Sequence, residues 1–138
     1  MANATLNGVG DRVRTEQGDA FEVLKSLREA RERFDVVIVD PPAFIKRRKD
    51  FKEGALAYRR LNEMAMQVLE RDGLLVSCSC SQLFSRDVLV HTLLQGSRHL
   101  DRNLLMLEQG RQGPDHPVLP AIPETDYLKA IFARVLPA

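Results

Sequence analysis

The chain has 138 residues, of which 44% are hydrophobic and 28% are charged, and its formal net charge is +1. This length and balance predict one globular domain, residues 1–138, that buries its own core. No apolar stretch approaches the ~20 residues that span a bilayer, and the first residues lack the pattern of a signal peptide. Composition therefore excludes a membrane protein and predicts a cytoplasmic one, whereas the near-neutral charge neither favours nor opposes nucleic-acid binding.

Metal-ligating residues are few. The only cysteines are Cys78 and Cys80, and the three histidines (His91, His99 and His116) are scattered along the chain. No spacing typical of a zinc or iron site occurs. The sequence predicts no metal.

Strand-like and helix-like stretches alternate along the chain. Apolar residues at helical spacing indicate helices, and β-branched runs indicate strands that are buried on both faces. This alternation predicts an α/β fold on a doubly wound, mostly parallel sheet. In chain order, the pattern predicts a strand at 12–17, a helix at 20–32, a strand at 34–40, a helix at 58–70 ended by Asp72-Gly73, a strand at 74–79, a helix at 87–100 capped by Ser85, a strand at 103–108, a loop at 110–126 and a strand at 127–135.

Three chemically notable features fall where predicted strands end: Asp19, Asp40-Pro41-Pro42 and Cys80. In open α/β sheets, ligands bind outside the carboxyl ends of the strands. The fold would gather these three features along one edge, so we expect a binding or catalytic site there.

Asp40, Pro41 and Pro42 form a stiff loop directly after a buried strand, because each proline fixes its own φ angle. The Asp40 carboxylate and the Pro41 carbonyl can both accept hydrogen bonds from amino groups. The motif therefore suits holding the edge of a flat substrate. The alternative is a strand terminator with a surface aspartate.

Cys80 ends the next predicted strand and is followed by the start of a helix. A thiol at such a position can act as a nucleophile, and attack at C6 of a pyrimidine would make C5 able to accept a methyl group. The alternative is a cysteine that acts as a small hydrophobic residue, which fits Cys78 well.

Two further segments have both a functional and a structural interpretation. Asp19 could accept a hydrogen bond from an adenine amino group, or cap the helix that begins at Ala20, or do both. A basic run beside the proline loop could contact RNA phosphates or be a solvated loop; its residues are Lys46, Arg47, Arg48 and Lys49.

The loop at 110–126 is long enough to be a lid or a binding loop. His116 in it is a candidate base, although a single loop histidine is more often incidental.

Together these motifs resemble one family. The chain resembles the C-terminal catalytic half of the bacterial 23S ribosomal RNA cytosine-5 methyltransferases, which carry an N-terminal RNA-binding PUA domain. The resemblance extends over nearly the whole chain, in residues 7–8, 17–21, 34–44, 58–62, 79–81, 109–112, 115–118 and 127–129.

The resemblance implies a Rossmann-like class I methyltransferase sheet, mostly parallel with an antiparallel C-terminal strand, that lacks its first two strands. It implies S-adenosylmethionine as cofactor and ribosomal RNA as partner. Asp19 and Ala20 would lie near the adenine, and Asp40 and Pro41 near the methyl group. Cys80 would be the nucleophile.

One departure concerns the substrate. Many amino-group methyltransferases have an aromatic residue after the two prolines, where this chain has Ala43, so Phe44 is the candidate for stacking on the base. A methyltransferase for an exocyclic amino group or another base stays open as an alternative, as does a non-enzymatic assembly module.

A second departure concerns the cofactor. No Gly-x-Gly-x-x-Gly motif occurs in the chain, so the glycine-rich cofactor loop of the family should lie upstream of residue 1. We expect a shortened form of a longer protein, in which residues 3–8 are the end of a helix. We expect this piece alone to be inactive, and its free sheet edge to pair with another chain as a homodimer or an aggregate.

Overall fold

A computed structural model of the protein describes residues 2–138. Four α-helices, four strands and three short 3₁₀ segments form the described part of the chain. The helices are α1 (Ala2–Leu6), α2 (Ala20–Glu29), α3 (Phe51–Gln67) and α4 (Arg86–His99), and the strands are β1 (Phe34–Val39), β2 (Leu69–Ser79), β3 (Arg102–Gly110) and β4 (Lys129–Pro137). The 3₁₀ segments are Gly10–Arg12, Arg48–Asp50 and Pro123–Thr125.

The strands form a single sheet in the order β1-β2-β4-β3. β1 pairs with β2 in parallel, and β4 lies antiparallel between β2 and β3. Three strands therefore run in one direction and only the last runs against them. This confirms the α/β fold and the mostly parallel sheet with an antiparallel C-terminal strand.

The two faces of this sheet differ. We call the face that holds Leu75, Ala133 and Ile131 the covered face, because these side chains are buried in a core shared with α3 and α4. We call the opposite face, with the rows Val36–Leu74–Arg134–Leu105 and Ile38–Val76–Phe132, the open face. Val36 and Ile38 of the open face are 48% and 66% exposed.

The helix starts follow from local capping. Asp19 caps α2 and Ser85 caps α4, each by accepting a hydrogen bond from backbone N–H groups of the first turn. The predicted cap at Ser85 is confirmed. Among residues 2–138, no helix is both long and apolar enough to cross a membrane.

The strand predicted at residues 12–17 is wrong. After the 3₁₀ turn at Gly10–Arg12, these residues are exposed and form no strand. A strand needs a neighbour for its backbone groups, and β1 is the outermost strand of the described sheet. The segment does not pair with the free edge of β1, so its backbone groups form no strand ladder despite its β-like composition.

The helix predicted at residues 58–70 begins two turns earlier, at Phe51, and ends at Gln67. Asp72-Gly73 does form a turn-like feature, since Asp72 has a φ of 60°. However, this feature lies inside β2, where the pairing with β1 shifts from Phe34↔Leu69 to Val36↔Leu74. It is a bulge in a strand and not the end of a helix.

Candidate active site

A cavity of about 510 Å³ opens at the carboxyl end of β1, beside the start of α2. Its wall brings together six of the residues that the sequence singled out: Asp19, Ala20, Asp40, Pro41, Pro42 and Phe44. Two carboxylates from separate elements therefore share one hollow, and most of the remaining wall is apolar. The sheet topology causes this, because α2 leads into β1 and the loop after β1 returns over the start of α2.

Asp19 has a structural task at this cavity. Its Oδ1 accepts hydrogen bonds from the backbone N–H groups of Phe21, at 2.9 Å, and Glu22, at 3.3 Å. Its Oδ2 has no hydrogen-bond partner in the described part of the chain. The capping interpretation therefore holds, and one carboxylate oxygen stays free to accept a bond from a ligand.

The segment after Asp40-Pro41-Pro42 is held against α3. The ring of Phe44 lies 4.8 Å from the ring of Tyr58 and 6.5 Å from that of Phe21, measured between centroids. Gly54 of α3 lets the backbone of Phe44 and Ile45 approach the helix closely, because a Cβ there would clash with the Cγ1 of Ile45 and lie 2.9 Å from the Phe44 carbonyl oxygen. Phe44 is thus part of the cavity wall, packed on neighbouring rings, and Asp40 is exposed beside it.

Cys80 lies next to the proline loop. It follows the last residue of β2, is half-buried, and its Sγ is 4.0 Å from the carbonyl oxygen of Pro41. Cys80 does not line the cavity itself, so the thiol borders it from the side of β2. Burial, and less strongly the Asp40 carboxylate, raise the pKa of the other thiol, Cys78, which suits a structural cysteine.

A buried group of hydroxyls surrounds Cys80 and was not predicted from the sequence. Ser79 Oγ donates to the Tyr58 hydroxyl at 3.0 Å, and the Tyr58 and Ser81 hydroxyls lie 2.8 Å apart. The backbone N–H of Ile45 donates to Ser81 Oγ at 3.2 Å. The loops after β1 and β2 are therefore joined directly through Ser81 Oγ, and Tyr58 of α3 holds that hydroxyl from the other side.

Lys129, the first residue of β4, was also missed as a site residue, although its segment matched the family. Its buried Nζ donates to the carbonyl oxygen of Ser81 at 2.6 Å. Burial lowers the pKa of this ammonium below its ordinary value; Cys80 and Asp126 nearby oppose the shift and Arg86 adds to it. A cation is therefore held in the interior directly beyond the thiol.

The basic run lies on the surface and outside the cavity wall. Lys46, Arg47, Arg48 and Lys49 are all exposed, and the last two begin the 3₁₀ segment Arg48–Asp50. Arg47 Nε contacts Asp50 Oδ2 at 2.8 Å, and this hydrogen bond and charge raise the pKa of the guanidinium. The structure leaves the other three charges of the run without an ion pair in the described part of the chain, and it does not place the run at the cavity.

His116 belongs to a second hollow, of about 400 Å³, in the long loop. Its Nδ1 lies 3.2 Å from Asp115 Oδ2, and both side chains are exposed. Within residues 2–138, no three His, Cys, Asp or Glu side chains come close enough to form a metal site.

Comparisons with known proteins agree on one class. A candidate ribosomal RNA large subunit methyltransferase of Methanocaldococcus jannaschii is 37% identical over 134 residues, which are 96% of this chain and 34% of the relative. Ribosomal RNA large subunit methyltransferase I of Erwinia tasmaniensis is 34% identical over 135 residues, 97% of this chain and 34% of the relative. A crystal structure of a candidate methyltransferase complexed with SAH superposes with a TM-score of 0.70 at 20% identity, and covers 85% of this chain and 30% of that chain.

The chain has a methyltransferase fold. No family model matches it, and it spans 34% of the length of both relatives named above. On this methyltransferase fold, the cavity and Cys80 lie together at the carboxyl ends of β1 and β2, where sheets of this kind bind their ligands.

Proposed function

We propose that this chain is the catalytic part of an S-adenosylmethionine-dependent methyltransferase that acts on ribosomal RNA. The observation that carries the proposal is the 4.0 Å approach of Cys80 Sγ to the Pro41 carbonyl, at the border of the cavity that Asp19 and Asp40 share. The names of the relatives support the same reaction class and the same kind of RNA.

The cavity fits the cofactor in its chemistry. Asp19 Oδ2 is free to accept a hydrogen bond from an adenine amino group, and the wall around it is mainly apolar, as a flat ring requires. The exposed Asp40 carboxylate directly follows β1, across the cavity from the start of α2, and suits a cationic sulfonium. When bound, the cofactor supplies an electrophilic methyl group.

Cys80 would make the target carbon reactive. In the proposed step, the Cys80 thiolate would bond to C6 of a cytosine and make C5 nucleophilic towards the methyl group that the cofactor would supply, the methyl–sulfur bond breaking to leave a neutral thioether. Loss of the C5 proton to solvent or a nearby base then expels the thiolate and restores the ring. The position of Cys80 beside Pro41 supports this sequence of steps, because a cytosine bonded to the thiol would lie next to the cavity in which the cofactor is proposed to bind.

RNA binding is the proposed task of the basic run. Three of its four cations have no ion pair in the described part of the chain, and all four face solvent; the four are Lys46, Arg47, Arg48 and Lys49. Phosphate contacts of this kind would make RNA affinity fall with salt.

A second candidate function keeps the enzyme class and changes the atom that is methylated. Asp40 and the Pro41 carbonyl are acceptors at the cavity and could hold an exocyclic amino group, which needs no cysteine. The deciding experiment measures methyl transfer to ribosomal RNA by the whole gene product that contains this chain. It compares Cys80→Ala with Cys78→Ala as the matched thiol control.

For the cytosine-C5 reaction, Cys80→Ala should reduce methyl transfer by more than about a thousand-fold. Cys78→Ala should stay within about two-fold of wild type, because it removes only a half-buried thiol. Full activity of Cys80→Ala would instead support amino-group methylation. No methylation of any ribosomal RNA by the wild type would refute the proposal itself.

Residues 1–138 alone should bind S-adenosylmethionine weakly or not at all, and should be inactive. The reason is that no Gly-x-Gly-x-x-Gly motif occurs in the chain, and the cavity wall comes mainly from the start of α2, from β1 and from the loop after β1. Isothermal calorimetry that measured micromolar binding by this polypeptide would contradict this part of the proposal.

A further inference from the structure

We propose that Tyr58 is a positioning residue that fixes Cys80 beside the proline loop. The inference rests on the proposed function as far as methyl transfer is concerned, but its geometric part stands on contacts alone. Tyr58 is fully buried in the core and does not line the cavity, so it does not contact a ligand there. It acts through the two serines that flank Cys80.

The hydroxyl of Tyr58 closes a ring around Cys80. Ser79 Oγ donates to Tyr58 Oη at 3.0 Å, so the Tyr58 proton is directed to Ser81 Oγ, 2.8 Å away. The backbone N–H of Ser81 donates back to Ser79 Oγ at 3.2 Å. The residues on both sides of Cys80 are thus bonded to the same oxygen atom, which limits how far its backbone can move.

The same ring reaches the loop after β1. Ser81 Oγ accepts the N–H of Ile45 at 3.2 Å, in addition to the proton from Tyr58, so both of its lone pairs are used. Ile45 is buried and follows the proline loop by three residues. The Ser81 hydroxyl, which Tyr58 Oη holds from the α3 side, therefore couples the position of Cys80 to the loop that carries Pro41, and explains how a 4.0 Å approach between two loops is held.

The aromatic ring of Tyr58 is held by packing contacts that do not involve its hydroxyl. Phe84 stacks on it with centroids 4.5 Å apart and planes 10° from parallel, and Phe44 packs at 4.8 Å. A phenylalanine at position 58 would keep these contacts and lose a single oxygen. Tyr58→Phe is therefore a specific test of the hydrogen-bonded ring.

The experiment measures the rate at which iodoacetamide alkylates each thiol, in the whole gene product that contains this chain. Tyr58→Phe is combined with Cys78→Ala, so that Cys80 alone of the two thiols described here remains, and separately with Cys80→Ala, so that Cys78 remains. The matched control is Ser77→Ala. Ser77 is also a buried hydroxyl of β2, but its Oγ has no hydrogen-bond partner in the described part of the chain.

In Tyr58→Phe, we expect alkylation of Cys80 to rise by at least about three-fold, since the loop opens locally, while Cys78 and the Ser77→Ala control do not change. In the same variant, kcat for methyl transfer should fall by about ten-fold or more with an unchanged KM for the cofactor, because the thiol is misplaced.

A rise of Cys80 alkylation below three-fold would overturn the proposal, and so would an equal rise at Cys78, which would indicate general loosening. Ser81→Ala cuts the same ring from the other side, and decides by the same criteria if Tyr58→Phe does not fold. The alkylation rates need no methyltransferase activity. If the wild type methylates no RNA, the proposed function fails while the positioning role is still tested.

Discussion

The covered and the open face of the sheet have similar strand composition and different surroundings. Leu75 and Ile131 on the covered face meet helices α3 and α4 and are almost fully buried. Ile38 of β1 and Leu105 of β3 lie on the open face of the same sheet and are exposed in the described chain. Apolar residues on both faces of a parallel strand predict burial on both sides. Such a pattern predicts that both faces are buried, but it does not identify the helix, strand or other molecule that buries them.

The largest expected effect is on stability. Leu75→Ala removes a fully buried side chain from the core and should lower the free energy of unfolding by about 3 kcal/mol. Ile38→Ala, at 66% exposure, should change it by less than about 0.5 kcal/mol. Urea denaturation of both variants measures the difference. A large, concentration-dependent loss in Ile38→Ala would mean that the open face is covered in solution by another molecule.

Self-association tests the open face directly. An apolar surface next to the free edge of β1 is expected to make residues 1–138 associate. Ile38→Lys should shift the polypeptide towards monomer in multi-angle light scattering. Leu56→Lys, which changes an equally exposed side chain on α3, should not do so. A wild-type polypeptide that is monomeric at high concentration would contradict the prediction.

Two cationic residues of β4 differ in burial because they lie on opposite faces of the sheet. Lys129 is buried on the covered face with a lowered pKa, whereas Arg134 of the open face is exposed and donates to the Asp72 carbonyl at 3.0 Å. Because the unfolded chain holds the lysine proton more tightly, unfolding takes up a proton between the lowered pKa and the unfolded-state value of about 10.4. Wild-type stability therefore gains from this residue as pH rises through that window, and the burial penalty is complete below it.

Lys129→Met should remove this contribution, so that the stability difference between wild type and variant changes as the pH is raised from 7.5 towards 10. Arg134→Met should keep the wild-type dependence. Urea midpoints of the three proteins across this pH range measure the effect. Parallel curves for wild type and Lys129→Met would show that the ammonium is solvated in the folded protein.

The smallest effect is expected at α2, which borders both faces at the edge of β1. Asp19→Ala removes a cap with two N–H partners and should cost about 1 kcal/mol, whereas Asp19→Asn should retain most of the capping. Thermal unfolding measures both. Equal losses in the two variants would mean that the charge, and not the cap, stabilises the helix start.

Much of the fold could be predicted because its signals are local. The β-branched run of β1, the cap at Ser85 and the antiparallel last strand all follow from short segments or from the resemblance. The incorrect predictions concern features that depend on contacts between residues far apart in the sequence. Asp72-Gly73 does contain a turn-like backbone, but only the pairing of Leu69 with Phe34 places it inside a strand.

The candidate site divides in the same way. Asp19, Asp40-Pro41-Pro42 and Cys80 could be selected because each follows a predicted strand. Tyr58 and Lys129 could not, since their role depends on contacts with Ser81 across 23 and 48 positions of the chain. Nothing in a buried tyrosine at helical spacing distinguishes a core side chain from one whose hydroxyl holds the two serines beside Cys80.

The central position of β4 has a consequence for synthesis. β2 and β3 are synthesised before β4 but do not pair with each other. Each pairs with β4, which lies between them in the sheet. As the chain leaves the ribosome, the sheet can close only when Lys129–Pro137 has emerged. Lys129 is the first residue of that strand, so its hydrogen bond to the Ser81 carbonyl, next to Cys80, is among the last contacts of residues 2–138 to form.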